Sequence, residues 1–180
     1  MNIKNNKELI AVEHQVKYVF FWGHRKTRNK VTKSCFSQWY ESPFSSEGVQ
    51  YKTAEHFMMA EKAKLFGDDE AFQEIIAADE PGKAKRLGRG IKHFDEQLWL
   101  EHRFEIVIKA NFLKFSKNPE LKHFLLNTNE RVLVEASPVD PIWGIGMATD
   151  HPDVLKPECW KGTNLLGYAL MQVRQQLLES

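Results

Sequence analysis

Thr53-Ala54-Glu55-His56-Phe57-Met58-Met59-Ala60-Glu61-Lys62-Ala63-Lys64-Leu65-Phe66-Gly67 reads as one helix with both ends marked. Thr53 is a good N-cap, because its hydroxyl can accept a hydrogen bond from a first-turn N–H. Gly67 is a good stop after Phe66, since many helices end on a left-handed glycine. The residues between are rich in Ala, Met, Glu and Lys, which favour helix. Glu55 falls in the first turn, where the helix dipole favours a carboxylate. Lys62 lies two turns later on the same side, its Cα roughly 10 Å further along the axis. Long helical side chains lean toward the N-terminus, so the Lys62 arm points back toward Glu55. An acid and an amine can therefore face one pocket, with Met58 or Met59 between them. The alternative is a first-turn charge complementing the dipole plus a solvated lysine, the commoner use of charged helix positions.

The chain has 180 residues, enough for one domain with a real core. Residues 15–180 are expected to form that single domain, after a loose lead-in over residues 1–14. The net charge of +1 gives no global field to draw in nucleic acid or an anionic membrane. Cys35 and Cys159 have no metal-ligand spacing, so free thiols in a reducing compartment are expected. The seven histidines form no close His-x-x-x-His pair, and neither a metal nor a cofactor is expected. The first fifteen residues resemble neither a signal peptide nor a transit sequence. No apolar run approaches the roughly 20 residues that span a bilayer. The expected place is the cytoplasm, without membrane contact.

Gln15 to Trp22 reads as a strand, with Val16, Tyr18 and Phe20 on one face. His24 to Lys33 carries Arg25, Lys26, Arg28, Lys30 and Lys33 without periodicity. It is a solvated basic loop or a contact for a phosphate-bearing ligand. Cys35 to Tyr40 sets three aromatics among small polar residues, which suits a planar base and a core edge equally. Ser42-Pro43 and Ser45 to Gly48 break the chain, and Val49 to Lys52 forms a short strand. Asp69 to Ala78 is a second helix. Pro81 opens a third, which carries Lys83, Lys85, Arg86 and Arg89 and ends at Gly88-Arg89-Gly90. Asp95 caps the longest helix, to about Ser116, with Leu100, Phe104, Val107, Ile108 and Phe115 as its core stripe. Arg103 and Asn111 are its notable polar residues. Pro119 starts a further helix, and Arg131 to Ala136 is a strand. Asp140-Pro141-Ile142-Trp143-Gly144-Ile145-Gly146 is irregular, and its composition suits a site better than a spacer. Thr163 or Asn164 caps the C-terminal helix.

Three blocks stand in order: Phe36-Ser37-Gln38-Trp39; Thr53-Ala54-Glu55-His56-Phe57 followed by Lys62; and Asp140 to Gly146 followed by Asn164-Leu165-Leu166-Gly167-Tyr168. This arrangement resembles the NADAR family, also called YbiA-like N-glycosidases, from about Phe20 to the C-terminus. Leu87-Gly88-Arg89 matches a further short block. The chain departs from the family's usual Phe-Ser-Asn-Phe at Gln38 and Trp39, has Lys52 where proline is usual, and carries the basic stretch as an insertion. The resemblance implies a mainly helical α+β fold, a compact YbiA-like domain with a few short strands. It implies hydrolysis of N-glycosidic bonds. As substrate the resemblance implies a ribosylamino-pyrimidine phosphate of riboflavin synthesis or ADP-ribose on a guanine base, with nucleic acid entering only as a modified substrate. By position, the candidate catalytic groups are Glu55, Lys62 and Asp140. The candidate substrate contacts are Phe36, Ser37, Trp39, His56, Arg89, Arg103, Trp143, Gly144 and Asn164. In this reading Phe36, Trp39 and Trp143 stack on the base or ribose, and Arg89 holds a phosphate. The competing reading is a non-catalytic module that binds ADP-ribose or a nucleotide.

Overall fold

In a computed structural model that describes residues 3–12, 15–28 and 30–180, the fold is mainly helical α+β with a few short strands. Its helices are α1 (Asn6–Ile10), α2 (Ala54–Leu65), α3 (Asp69–Ala77), α4 (Pro81–Arg89), α5 (Glu96–Lys117), α6 (Pro119–Leu126) and α7 (Leu165–Glu179). Its strands are β1 (Tyr18–Phe21), β2 (Phe44–Ser46), β3 (Val49–Tyr51) and β4 (Val132–Glu135). Contacts divide the chain into two compact units, Gln38–Pro119 and the remainder, Met1–Ser37 with Glu120–Ser180.

Within Gln38–Pro119, α2 is the central element, packed by α3, α4 and α5. Ala54, Ala60 and Ala63 are fully buried, and their small side chains let neighbouring helices approach. Thr53 caps α2 as expected, its Oγ1 accepting from the His56 N–H at 3.3 Å. Gly67 follows the helix with φ +67°, the left-handed conformation a glycine stop supplies. Pro81 opens α4, and Asp95 caps α5 by accepting from the Leu98 N–H at 2.8 Å. Leu100, expected in the core stripe of α5, is 48% exposed. Stripe periodicity fixes a face but not how far along the helix its covering neighbours extend. Ser42 to Gly48, expected as a break, contains β2, which pairs antiparallel with β3. The two-residue turn between them is Glu47-Gly48, with φ +51° and +79°. Left-handed values at both positions match the hairpin turn whose twist suits a right-handed ribbon.

In the other unit, β1 and β4 pair in parallel from Tyr18↔Val132 to Phe21↔Glu135. The chain of Gln38–Pro119 is inserted in sequence between them. Helix α7 packs on β4. Alternation put Tyr18 and Phe20 on one face of β1, and the buried residue of the strand is Phe21, whose ring meets Phe36 edge-on at 5.4 Å. On β4, Val132, Leu133 and Val134 are all buried, so both faces are covered. The lead-in expected to be loose contains α1, whose Leu9 is buried. Asn6 secures it, donating to the Gly162 carbonyl at 2.9 Å and accepting from the Tyr168 hydroxyl at 2.8 Å. Residues 1, 2, 13 and 14 of that lead-in, and Asn29 of the basic stretch, lie outside the described residues. The described residues from His24 to Lys30 are exposed, with Thr27 and Lys30 in an antiparallel bridge.

Candidate active site

Glu55 sits in the first turn of α2 and is 2% exposed. Its backbone N–H donates to the Gln38 carbonyl at 3.0 Å, which ties the start of α2 to the preceding aromatic segment. Gln38 is held in turn: its Oε1 accepts from Asn111 Nδ2 at 2.7 Å, and Asn111 also donates to the Val107 carbonyl at 2.9 Å. A buried amide relay thus runs from α5 to the helix start that carries Glu55. Gln38 and Asn111 were not among the expected site residues. Asn111, a polar residue within the apolar pattern of the long helix, is the sequence signal that could have found it.

The Lys62 side chain leaves α2 toward the C-terminal end of α4. Its Nζ donates to the Gly88 carbonyl at 2.8 Å, in the last turn, where the carbonyl end of the helix dipole favours a cation. The same nitrogen lies 4.3 Å from the Phe94 ring centroid and 5.3 Å from that of Trp99. Burial lowers its pKa below the ordinary lysine value. Gly88 sits close against α2: a Cβ there would fall 2.0 Å from Met59 Sδ, so the Met59 side chain would have to move. The Gly-Arg block therefore delivers a carbonyl to Lys62 through close approach of α4 to α2. Arg89, one residue on, is exposed.

His56 is fully buried, and both ring nitrogens are committed within the protein. Its Nε2 lies 3.1 Å from the Ala78 carbonyl, which can only accept, so Nε2 carries the proton. Its Nδ1 then accepts from the Thr53 hydroxyl at 2.8 Å. Instead of contacting substrate, this histidine ties the N-terminus of α2 to the C-cap of α3. Burial chiefly lowers its pKa, with the Ala78 bond opposing and Lys52 reinforcing. A histidine whose folded pKa is depressed stays neutral while the unfolded chain protonates near its ordinary value of 6.5. Its contribution to stability is therefore present above that value and is lost as pH falls below it. We expect urea midpoints measured at pH 7.5 and 5.5 to differ more for the parent than for His56→Gln. Equal acid sensitivity in the two proteins would contradict this assignment.

Trp39 is half-buried beside α4, with its ring 3.4 Å from where a Cβ on Gly82 would lie and 5.9 Å from the Lys85 ammonium. Arg103 is half-buried on α5, and burial lowers its guanidinium pKa while Glu96 opposes.

In the second unit, Asp140, Trp143, Gly144 and Asn164 form one knot. Asp140 Oδ1 accepts from the Ile142 and Trp143 N–H groups at 3.0 and 2.8 Å, which turns the chain after Pro141. The Gly144 carbonyl accepts from the Asn164 N–H at 3.0 Å. A Cβ on Gly144 would lie 2.7 Å from the Glu135 carbonyl, so close backbone approach requires glycine here. Asn164 precedes α7 with a left-handed φ of +52° and no side-chain cap bond. Its amide bridges β4 instead, accepting from the Glu135 N–H and donating to the Leu133 carbonyl, both at 3.0 Å. Asn164 is fully buried, so it shapes the loop from behind. Phe36, expected as a stacking surface, is also fully buried, its ring between Phe21 at 5.4 Å and Phe124 at 5.5 Å. A ring enclosed by core aromatics offers no face to a ligand. Ser37 is half-buried at the end of the same turn, its N–H donating to the Ser34 carbonyl. Among the described residues no group of three His, Cys, Asp or Glu side chains could hold a metal ion, and no helix is long and apolar enough to cross a membrane.

Residues 20–178 match the family model described as the NADAR domain. The N-glycosidase R617 of Acanthamoeba polyphaga mimivirus is 42% identical over 165 residues, covering 89% of this chain and 96% of that protein. The N-glycosidase YbiA of Escherichia coli (strain K12) is 33% identical over 144 residues, covering 80% of this chain and 79% of that protein. The chloroplastic riboflavin biosynthesis protein PYRR of Zea mays is 34% identical over 135 residues, which cover 71% of this chain and 20% of the maize protein. Among solved structures, the NMR structure of Escherichia coli YbiA aligns with a TM-score of 0.72 at 28% identity, covering 92% of this chain and 88% of that one.

Proposed function

The chain belongs to the NADAR family, and from that premise we propose that it is an N-glycosidase, a hydrolase that cleaves the C–N bond between a phosphorylated ribosyl group and a base or amine. The observation that carries this reading is the buried carboxylate of Glu55, in the first turn of α2 and inside the span matched by the family. The match runs through both units, which supports treating residues 15–180 as one functional domain.

In this mechanism the glycosidic bond breaks with its electron pair moving to the departing nitrogen, which takes up a proton from solvent, and the proton later passed to Glu55 returns to solvent. Positive charge builds at the anomeric carbon, as in other glycoside cleavages. Glu55 stabilises that charge, and water adding to the carbon gives its proton to the carboxylate. Lys62 contributes its amine, as an electrostatic partner or as a nucleophile once deprotonated. Trp39 offers ring surface to the base or ribose, and in the other unit Asp140 holds the turn that bears Trp143. Arg89 and Arg103 supply guanidinium groups for a phosphate. His56, Asn164 and Phe36 act by fixing the elements that bear these groups. Free cysteines, Cys35 buried and Cys159 exposed, suit a reducing compartment such as the cytoplasm.

Two substrates fit this chemistry, a ribosylamino-pyrimidine phosphate and ADP-ribose linked to guanine. The similarity to a protein named for riboflavin biosynthesis favours the first. The test is parallel incubation with both, followed by chromatography of the products. We expect the free pyrimidine amine to be released faster from the first. Intact recovery of both ligands would instead support a binding module.

A further inference from the structure

The Lys62 ammonium is enclosed by three groups from three neighbouring segments: the Gly88 carbonyl of α4, the Phe94 ring between the helices and the Trp99 ring of α5. Lys62 is 9% exposed, whereas Phe94, whose ring lies 4.3 Å from the amine, is 47% exposed. One side of that ring covers the amine while much of the residue meets water. Phe94 lies between α4 and the α5 cap Asp95, so it belongs to neither helix. It is nonetheless braced, because its ring packs edge-on against Phe66 at 5.3 Å. The preceding His93 holds a left-handed φ of +57°. Such a conformation is disfavoured for a non-glycine residue and persists where surrounding structure enforces it.

We propose that Phe94 is a positioning residue that sets the ionisation of the Lys62 amine, by excluding water from it while presenting a π face to its charged form. The proposal rests on the reading of Lys62 as part of the reactive site, and it names a control on that site outside the family-matched blocks. Two opposing physical effects pass through one side chain. The ring's bulk removes water, which disfavours the ammonium. Its negative face attracts the ammonium, which favours it. Trp99 adds a second ring at 5.3 Å. Burial is the cause of the lowered Lys62 pKa. Water exclusion is therefore the dominant effect in the intact protein.

The opposition gives a signed test. Phe94→Ala opens the cover and removes the π face, whereas Phe94→Leu keeps most of the apolar cover and removes the π face alone. Proteins labelled at the lysine ε-carbon with 13C would be titrated by NMR, with the Lys62 signal identified by its loss in Lys62→Arg. Phe94→Ala should raise the Lys62 midpoint, increasing the ammonium-to-amine ratio at a fixed pH by roughly three- to ten-fold. Phe94→Leu should lower it, with that ratio falling about two- to five-fold. Coincident midpoints in parent and both variants, or a downward shift in Phe94→Ala, would overturn the proposal. The NMR midpoint does not depend on turnover. Opposite midpoint shifts with unchanged cleavage would uphold the control by Phe94 and remove Lys62 from the chemistry, whereas unmoved midpoints would overturn the inference whatever the activity.

Discussion

Gly167→Ala is expected to lose about 3–5 kcal/mol of stability, the sum of an overpacking cost and of hydrogen bonds broken at a buried amide. A Cβ at this position would lie 2.1 Å from the Leu133 carbonyl oxygen and 2.6 Å from both polar atoms of the Asn164 amide. These are the atoms through which Asn164 fastens the start of α7 to β4, and the Leu133 carbonyl accepts from Asn164 Nδ2. The methyl group can be accommodated only if α7 moves off the strand, which strips both bonds from a fully buried side chain. Backbone and a short amide cannot swing aside as a flexible side chain would. For a chain of this length such a loss lowers the melting temperature by roughly 6–20 °C. Asn164→Ala removes the same bonds without the collision and is expected to cost less. Thermal melts of the two variants check the order, and a Gly167→Ala melt within a degree or two of the parent would contradict the packing argument.

That pair of residues shows what a sequence discloses about a site. Asn164 and Gly167 were legible as a motif, and the motif led to the right family. Their physical work was not legible, because it depends on β4, some thirty residues earlier. Asn164 does stand at the N-cap of α7, but its side chain makes no cap bond and reaches the strand instead. Local signals did better where the cause was local. Pro81 at the start of α4, Asp95 before α5 and Thr53 before α2 each act within one turn of themselves. Glu47-Gly48 failed as a hairpin signal because glutamate rarely takes the left-handed conformation that it holds here. Aromatics were the hardest to assign. Phe36 and Phe94 look alike in sequence, and only tertiary neighbours make the first a core ring and the second a half-exposed cover. Lys62 was identified as a candidate amine by position, but its surroundings come from α4, α5 and the segment between them.

Glu55→Gln is expected to fold as the parent does and to lose about two to four orders of magnitude in turnover, the scale set by losing a positioned general base or charge-stabilising carboxylate. Glutamine keeps the shape of the side chain and a carbonyl oxygen, so the packing of the α2 start is preserved. The backbone bond from residue 55 to the Gln38 carbonyl is unaffected, because it uses the main-chain N–H. What disappears is the negative charge that opposes the developing positive carbon, and the capacity to take a proton from water. Substrate contacts made by other residues remain, so binding should weaken far less than catalysis.

The decisive measurement is a paired one on Glu55→Gln and the parent with the ribosylamino-pyrimidine phosphate: calorimetric affinity, and release of the free pyrimidine amine followed by chromatography. Affinity within a few-fold of the parent together with a hundred-fold or greater loss of release is the predicted result. Release by the variant at a rate near that of the parent would contradict the assignment of bond cleavage to this carboxylate.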